Sequence, residues 1–142
     1  MPRLFLLLFL LVNFSFSQDW KTDLEAAKQQ ARQEDKQLLV VFQGSDWCAP
    51  CMKLNREIFE SEYFKEYAAS HYVMLQADFP RKKGNQLSPE LQQQNNELAA
   101  QYNKNGYFPL VVVFDKNLNL IGKTGYKKMT PELYIEHLNS FK

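Results

Sequence analysis

Short continuous apolar runs alternate along the chain with stretches in which apolar residues recur at helical spacing. The runs QLLVVFQ (37–43), YVMLQAD (72–78) and LVVVF (110–114) are rich in Val and Leu, which predicts buried strands. A fourth strand is expected over residues 120–126, because only the polar turn DKNLN separates it from the third. The last two strands therefore form an antiparallel hairpin.

Helices are predicted between and around these strands. Helical spacing indicates one helix over residues 19–35 and another that starts at Cys48 and breaks near residue 60 into a second piece over 61–70. Ser88-Pro89 and Thr130-Pro131 combine a capping side chain with a proline in the first turn, so they predict the starts of two further helices.

The order of these elements predicts the fold class. Alternating helices and strands in the first half require parallel strands joined by crossover helices, whereas the hairpin is antiparallel. We therefore predict an α/β three-layer sandwich, in which a four-stranded mixed sheet with an antiparallel C-terminal hairpin lies between flanking helices. The sequence shows no internal repeat and no second domain.

Residues 1–17 have the pattern of a secretory signal peptide. Arg3 precedes a nine-residue apolar run, and the small residues Ser15 and Ser17 occupy the minus-three and minus-one positions of a cleavage site. The run is far shorter than the roughly 20 apolar residues that span a bilayer. We expect a single domain over residues 18–142, without a stable membrane anchor after cleavage, that is periplasmic or secreted.

The charge balance and the cysteine count exclude several classes of protein. The chain has 17 Lys and Arg against 16 Asp and Glu, and loss of Arg3 leaves 16 of each sign. This balance gives no reason to expect a nucleic-acid partner or an anionic membrane surface. Two cysteines are too few for a disulfide-rich secreted scaffold.

The two cysteines lie in the stretch SDWCAPC, where a predicted strand passes into a helix. At the helix N-terminus, free backbone amides and the helix dipole stabilise a Cys48 thiolate. Cys51 lies one turn later and further towards the core, within reach for a disulfide. We therefore expect the exposed Cys48 to exchange with a substrate sulfur and Cys51 to resolve the mixed disulfide.

The residues around the pair support this interpretation. Ala49 and Pro50 complete the motif, and Pro50 fits the first helical turn and stiffens it. Trp47 offers either a flat apolar surface to a substrate or a group that packs on the domain. A carboxylate at Asp46, two residues before Cys48, would oppose thiolate formation.

The cysteines have two alternative interpretations, a zinc site and a static structural disulfide. A zinc site needs about four ligands, and the chain offers only His71 and His137 besides the pair, neither at ligand-like spacing. We expect no metal and no bound cofactor. A static structural disulfide stays open, although a bridge over two residues restrains an unfolded chain only weakly.

At this point the sequence resembles the thioredoxin superfamily. The strand LLVVF, the stretch GSDWCAPC opening a helix and the segment GYFPLVVVF follow that family's layout across nearly all of residues 18–142. The stretch CMKLNREIFESEYFKEYAASHYVMLQADFP and the longer segment that follows it are similar to a secreted bacterial branch. The resemblance implies thiol–disulfide exchange without a bound cofactor, in the reducing direction. Partners would be cysteine-containing proteins and a separate redox donor or acceptor.

The resemblance also assigns residues to a substrate groove. Pro109 corresponds to the family's cis-proline beside the cysteine pair, and Phe108 to the residue whose backbone pairs with an extended substrate. By the resemblance, Val41 stands at or near the position where thioredoxins have a buried acid. Three candidates for the proton acceptor of Cys51 therefore remain: Asp78, Glu57 and water. A rival hypothesis is a binding or assembly module that docks a partner through the basic segment Arg81-Lys82-Lys83. The alternative for this segment is an ordinary solvated turn.

Overall fold

The computed structural model describes residues 17–142, so nearly all of the predicted signal peptide lies outside the described residues. The sheet has the order β1-β3-β2-β4-β5. The strands β1, β3 and β2 are parallel, whereas β2, β4 and β5 pair antiparallel. The strand bounds are Trp20–Lys21 (β1), Gln37–Gln43 (β2), Tyr72–Asp78 (β3), Leu110–Phe114 (β4) and Leu120–Thr124 (β5).

Within residues 17–142, five α-helices flank the sheet, each started by a side-chain cap at its N-terminus. After α2 the chain continues as a π-helical turn, Asn55–Phe59, which buries Ile58 and Phe59. Among residues 17–142, no helix combines the length and apolarity needed to cross a bilayer. The helix bounds are Leu24–Glu34 (α1), Ala49–Leu54 (α2), Glu62–His71 (α3), Pro89–Tyr102 (α4) and Pro131–Asn139 (α5).

Both faces of the sheet are covered, which confirms the predicted three-layer sandwich. In β2, Leu39 and Val41 pack with side chains of α3 and α5. The alternate residues Leu38, Val40 and Phe42 point to the opposite face, towards α1 and α4. The bounds of β2, β3 and β4 agree with the predicted strands.

The sheet has five strands rather than the predicted four. The additional strand, β1, pairs in parallel with Met74 and Leu75 of β3. It occupies the start of the stretch that was predicted as helix 19–35, because α1 begins only after the Asp23 cap. A two-residue strand is too short to show a period-two pattern, so the sequence carried no signal for it.

Candidate active site

Cys48 and Cys51 form a disulfide at the junction of β2 and α2, with their Cα atoms 5.3 Å apart. Cys48 is the N-cap residue of α2, and its sulfur accepts a hydrogen bond of 3.3 Å from the backbone amide of Cys51. Side-chain exposure differs from the expectation of an exposed Cys48. Cys48 is 4% exposed and Cys51 6%, so the two are almost equally buried in the disulfide form.

A tight turn after β2 sets the start of this helix. The carbonyl of Gly44 accepts hydrogen bonds from the amides of Trp47 (3.3 Å) and Cys48 (2.9 Å). Ala49 and Pro50 then occupy the exposed first turn of α2, where the missing amide hydrogen of Pro50 costs no helical bond. The turn therefore places Cys48 just after the C-terminal end of β2, at the N-terminus of α2.

Trp47 is held in place by contacts on three sides. Its indole Nε1 donates a 2.7 Å hydrogen bond to the carbonyl of Phe79, and the Phe108 ring packs edge-on at 5.4 Å between centroids. The guanidinium of Arg81 lies 3.7 Å from the Trp47 ring centroid. Trp47 therefore packs on the domain while it also lines a surface groove with Phe108.

The peptide bond between Phe108 and Pro109 is cis, as the resemblance implied. Pro109 is buried and lines a shallow groove together with Pro50, Phe108 and Tyr126, which places it beside the cysteine motif. Two of the predicted groove residues, Phe108 and Pro109, are thus brought to the same surface as the first turn of α2.

The buried Asn103 closes the turn that leads to this proline. Its side-chain amide donates to the carbonyl of Tyr107, and its Oδ1 accepts from the amide of Tyr107, both at 2.9 Å. Gly106 completes the turn at a φ of 67°, a conformation that glycine adopts without strain. This side chain links the end of α4 to the segment that presents Phe108.

Asp46 has a structural partner that the sequence did not reveal. Its carboxylate accepts hydrogen bonds from the backbone amides of Arg81 (3.0 Å) and Lys82 (2.9 Å) and from the side chain of Asn85 (3.0 Å). These bonds, the one from the Arg81 amide above all, lower the pKa of Asp46 to about 2. Asp46 therefore anchors the loop between β3 and α4, which we call the basic loop (residues 79–88).

Two of the candidate proton acceptors are engaged elsewhere. Asp78 is buried and accepts hydrogen bonds from the amide and hydroxyl of Ser45 and from the amide of Phe79. Glu57 accepts a hydrogen bond from the hydroxyl of Tyr126, which raises the pKa of that tyrosine. Both carboxylates thus have structural partners on neighbouring segments.

Cys51 lines a polar groove, and an apolar residue stands where thioredoxins have a buried acid. Val41, at or near the position of the acid, is 1% exposed and packs in the apolar core. Besides Cys51, the groove is lined mainly by polar side chains, among them the uncharged Gln43, Ser45 and Gln76 and the charged Glu60 and Lys65. Solvent can therefore approach Cys51 along a polar surface.

Neither histidine joins the cysteine pair. His71 stacks on Tyr67, and His137 shares a hydrogen bond with Thr124. Within residues 17–142, no three His, Cys, Asp or Glu side chains come together in an arrangement that could hold a metal ion.

The sequence did not identify Asn103, the contact of Arg81 with Trp47 or the anchoring role of Asp46. The hydrogen bond between Asp46 and Arg81 joins residues that are 35 positions apart in the chain, whereas Asn103 bonds to Tyr107 only four residues away. The Gly106 turn was visible in the sequence, but the side chain that closes it had no local pattern.

The chain is similar to known proteins in sequence and in fold. Residues 19–116 match the family model described as thioredoxin-like. The chain is 34% identical over 121 residues to the disulfide bond reductase DsbH of Chlamydia pneumoniae. The aligned region covers 85% of this chain and 70% of that protein. A solved structure of a DsbH oxidoreductase superposes with a TM-score of 0.79 at 32% identity, over 87% of this chain and 83% of the other.

A more distant solved structure shares the fold, and a further relative matches over a shorter stretch. A thioredoxin from Thermus thermophilus shares the fold, with a TM-score of 0.64 at 15% identity over 87% of this chain and 85% of the other. The thioredoxin-related protein DsbJ of C. pneumoniae is 30% identical over 86 residues, which are 61% of this chain but 24% of DsbJ. The chain belongs to the thioredoxin-like family, and with its Cys48–Cys51 pair it is a thiol–disulfide oxidoreductase.

Proposed function

We propose that this protein reduces disulfide bonds of other proteins outside the cytoplasm, with Cys48 and Cys51 as its catalytic residues. The observation that carries the proposal is the disulfide between these two residues at the N-terminus of α2. Similarity to a protein described as a disulfide bond reductase supports the reducing direction.

Cys48 is the nucleophile of the first step. In the reduced protein its thiolate attacks one sulfur of a substrate disulfide, so that a bond forms between Cys48 and the substrate while the substrate disulfide breaks. The second substrate sulfur leaves as a thiolate and takes a proton from water. The amide of Cys51, 3.3 Å from the Cys48 sulfur in the disulfide form, and the start of α2 favour the anion.

Cys51 resolves the mixed disulfide. It loses its proton, attacks the Cys48 sulfur and releases the substrate as a second thiol. The substrate gains two electrons and two protons, and the protein returns to the Cys48–Cys51 disulfide seen in the structure. We assign the Cys51 proton to water in the polar groove, because the lining residues nearest in sequence, Met52 and Asn55, are uncharged.

Trp47, Phe108 and Pro109 form the substrate groove, which Pro50 also lines, and Ala49 completes the exposed first turn of α2. Among residues 17–142, the amide and carbonyl of Phe108 take part in no turn hydrogen bond and no side-chain hydrogen bond. They are therefore free to pair with the extended backbone of a substrate, as strand addition requires.

The partners follow from the chemistry. Substrates are cysteine-containing proteins, and a separate redox protein returns electrons to the Cys48–Cys51 disulfide. The signal-peptide pattern of residues 1–17 supports a periplasmic or secreted location, where protein disulfides persist.

Reduction of insulin disulfides by the purified protein, with dithiothreitol as electron supply, tests this function. Cys48→Ser should abolish the acceleration. Cys51→Ser should accumulate a mixed disulfide that mass spectrometry detects, because the resolving thiol is gone. Leu133→Ser, a change at an exposed apolar residue of α5, should leave the rate intact and is the control.

The direction needs its own measurement. A reductase should have a potential near the roughly −270 mV of thioredoxin and far below the roughly −120 mV of the oxidant DsbA, which equilibration with a thiol buffer determines. An oxidising potential would contradict the reducing direction. If Cys48→Ser left the biological activity intact, the binding-module hypothesis would be correct instead.

A further inference from the structure

The basic loop places one cation directly beside the cysteine motif. Arg81 is exposed, and its guanidinium covers the Trp47 ring at 3.7 Å from the centroid. Within the described part of the chain, residues 17–142, this guanidinium forms no ion pair and donates no hydrogen bond. Its charge is therefore available to a ligand.

The position of Arg81 is set from both sides. Asp46 holds the backbone amide of Arg81 at 3.0 Å, and Trp47 is itself fixed by the hydrogen bond to Phe79 and by the Phe108 ring. The cation therefore has a defined position on Trp47, the residue that precedes Cys48 in the chain. A solvated arginine in a free loop would have no such fixed relation to the cysteine.

The geometry leaves the hydrogen-bonding edge of the guanidinium open. Stacking on an aromatic ring uses the flat face of the group, so its N–H donors still point outwards in the plane. A carboxylate fits this edge with two parallel hydrogen bonds. Phosphate would fit as well, but the ligands of a disulfide exchange protein at this place are polypeptides.

The groove around Arg81 carries no negative charge of its own among its lining residues. It is lined by Trp47, Phe79, Pro80, Arg81, Gln92, Gly106 and Phe108. Asp46 is nearby, but its two oxygens are already bonded to the basic loop. Lys82 and Lys83 follow on the same loop but are not among these lining residues. The groove therefore complements an acidic segment.

We propose that Arg81 is a specificity-determining residue that favours substrates with a Glu or Asp next to the cysteine attacked by Cys48. The inference rests on the proposed exchange reaction and refines its substrate class. Exchange itself is unchanged: the Cys48 thiolate forms the bond to one substrate sulfur as the other leaves, and Cys51 completes the two-electron reduction. Arg81 acts only on how well the flanking carboxylate is bound.

Three synthetic peptides test this proposal, each with one internal disulfide and either Glu, Gln or Lys beside the same cysteine. The readout is the second-order rate constant for their reduction by the dithiol form of the full protein. Wild type should reduce the Glu peptide about two- to fivefold faster than the Gln peptide, and the Lys peptide more slowly. This ratio should shrink in 0.5 M NaCl, because salt screens exposed charges.

Variants of the basic loop complete the test. Arg81→Ala should remove the preference between the Glu and Lys peptides, and Arg81→Glu should reverse it. Lys83→Glu, which makes the same charge change on the same loop, is the matched control and should leave the preference largely intact. Ratios within one variant are compared, so a partial loss of folded protein cancels.

Each outcome has one meaning. Equal rates for all three peptides with wild type, or an equal effect of Lys83→Glu and Arg81→Glu, would overturn the role of Arg81. If wild type reduced none of the peptides, the proposed function itself would fail. A Glu preference that Arg81→Ala abolishes supports the proposal.

Discussion

The carboxylate of Asp46 is bonded to the backbone amide of Arg81, 35 residues further along the chain, at 3.0 Å. This contact joins the turn before Cys48 to the basic loop, and together with the bond from Lys82 it fixes how that loop lies against Trp47. An acid beside a reactive cysteine thus serves as an anchor of the fold, with its oxygens directed to the loop.

Asp46→Ala should release the basic loop. The amides of Arg81 and Lys82 would lose their acceptor, so we expect their hydrogen exchange to accelerate while exchange in β3 stays slow. Asp46→Asn keeps one oxygen acceptor and should give an intermediate rate. Unchanged exchange at both amides in Asp46→Ala would contradict the anchoring role.

The pH dependence of this anchor follows from the lowered pKa of Asp46. Because the folded-state pKa is about 2, below the ordinary 3.8, its stabilising contribution is complete above the ordinary value and is lost as the pH falls through about 2. Protection of the two loop amides should therefore persist at pH 4. Loss of that protection between pH 6 and 5 would show that another group controls the loop.

Gly44→Ala should displace Trp47. A Cβ atom at residue 44 would occupy the space of the indole ring, and overpacking of this kind costs about 1–3 kcal/mol of folding free energy. We expect the Trp47 fluorescence to change and substrate reduction to slow, measured in a Trp20→Phe background so that one indole reports. Gly84→Ala, in open space on the basic loop, is the control. A Trp47 signal identical to the parent would show that the ring does not need this gap.

Asn103→Ala should weaken the segment that presents Phe108. Removal of the Asn103 side-chain amide leaves the backbone amide and carbonyl of Tyr107 without partners. We expect the free energy of unfolding, measured in urea, to fall by about 1–3 kcal/mol. We also expect kcat/KM for a peptide disulfide to fall while the alkylation rate of Cys48 stays unchanged. Asn105→Ala changes an exposed residue of the same turn and should affect neither quantity. Equal effects of the two variants would contradict a specific role for Asn103.

The sequence predicted the central elements because their signals are local. The Val-rich run of β2 and the proline-containing start of α4 are complete within a few residues, so period and capping chemistry were sufficient. The motif around Cys48 was equally compact. The short β1 escaped because its pairing with Met74 depends on a strand more than 50 residues away.

The groove could be predicted only in part. Pro109 was assigned through the resemblance, but the contact of Arg81 with Trp47 is tertiary. The closure by Asn103 is a local contact with Tyr107, four residues on, that no sequence pattern singled out. The expected difference in exposure between Cys48 and Cys51 was wrong for the disulfide form, in which the two residues are 4% and 6% exposed.

Alkylation of Cys48 as a function of pH tests the central claim of a stabilised thiolate most directly. The reduced Cys51→Ala protein has a single thiol and keeps the backbone amide of residue 51. We predict half-maximal reactivity with iodoacetamide at a pH between about 3.5 and 7.5, below the roughly 8.5 of a free thiol, and a return to the free value in urea. A midpoint at or above 8.5 in the folded protein would contradict the account.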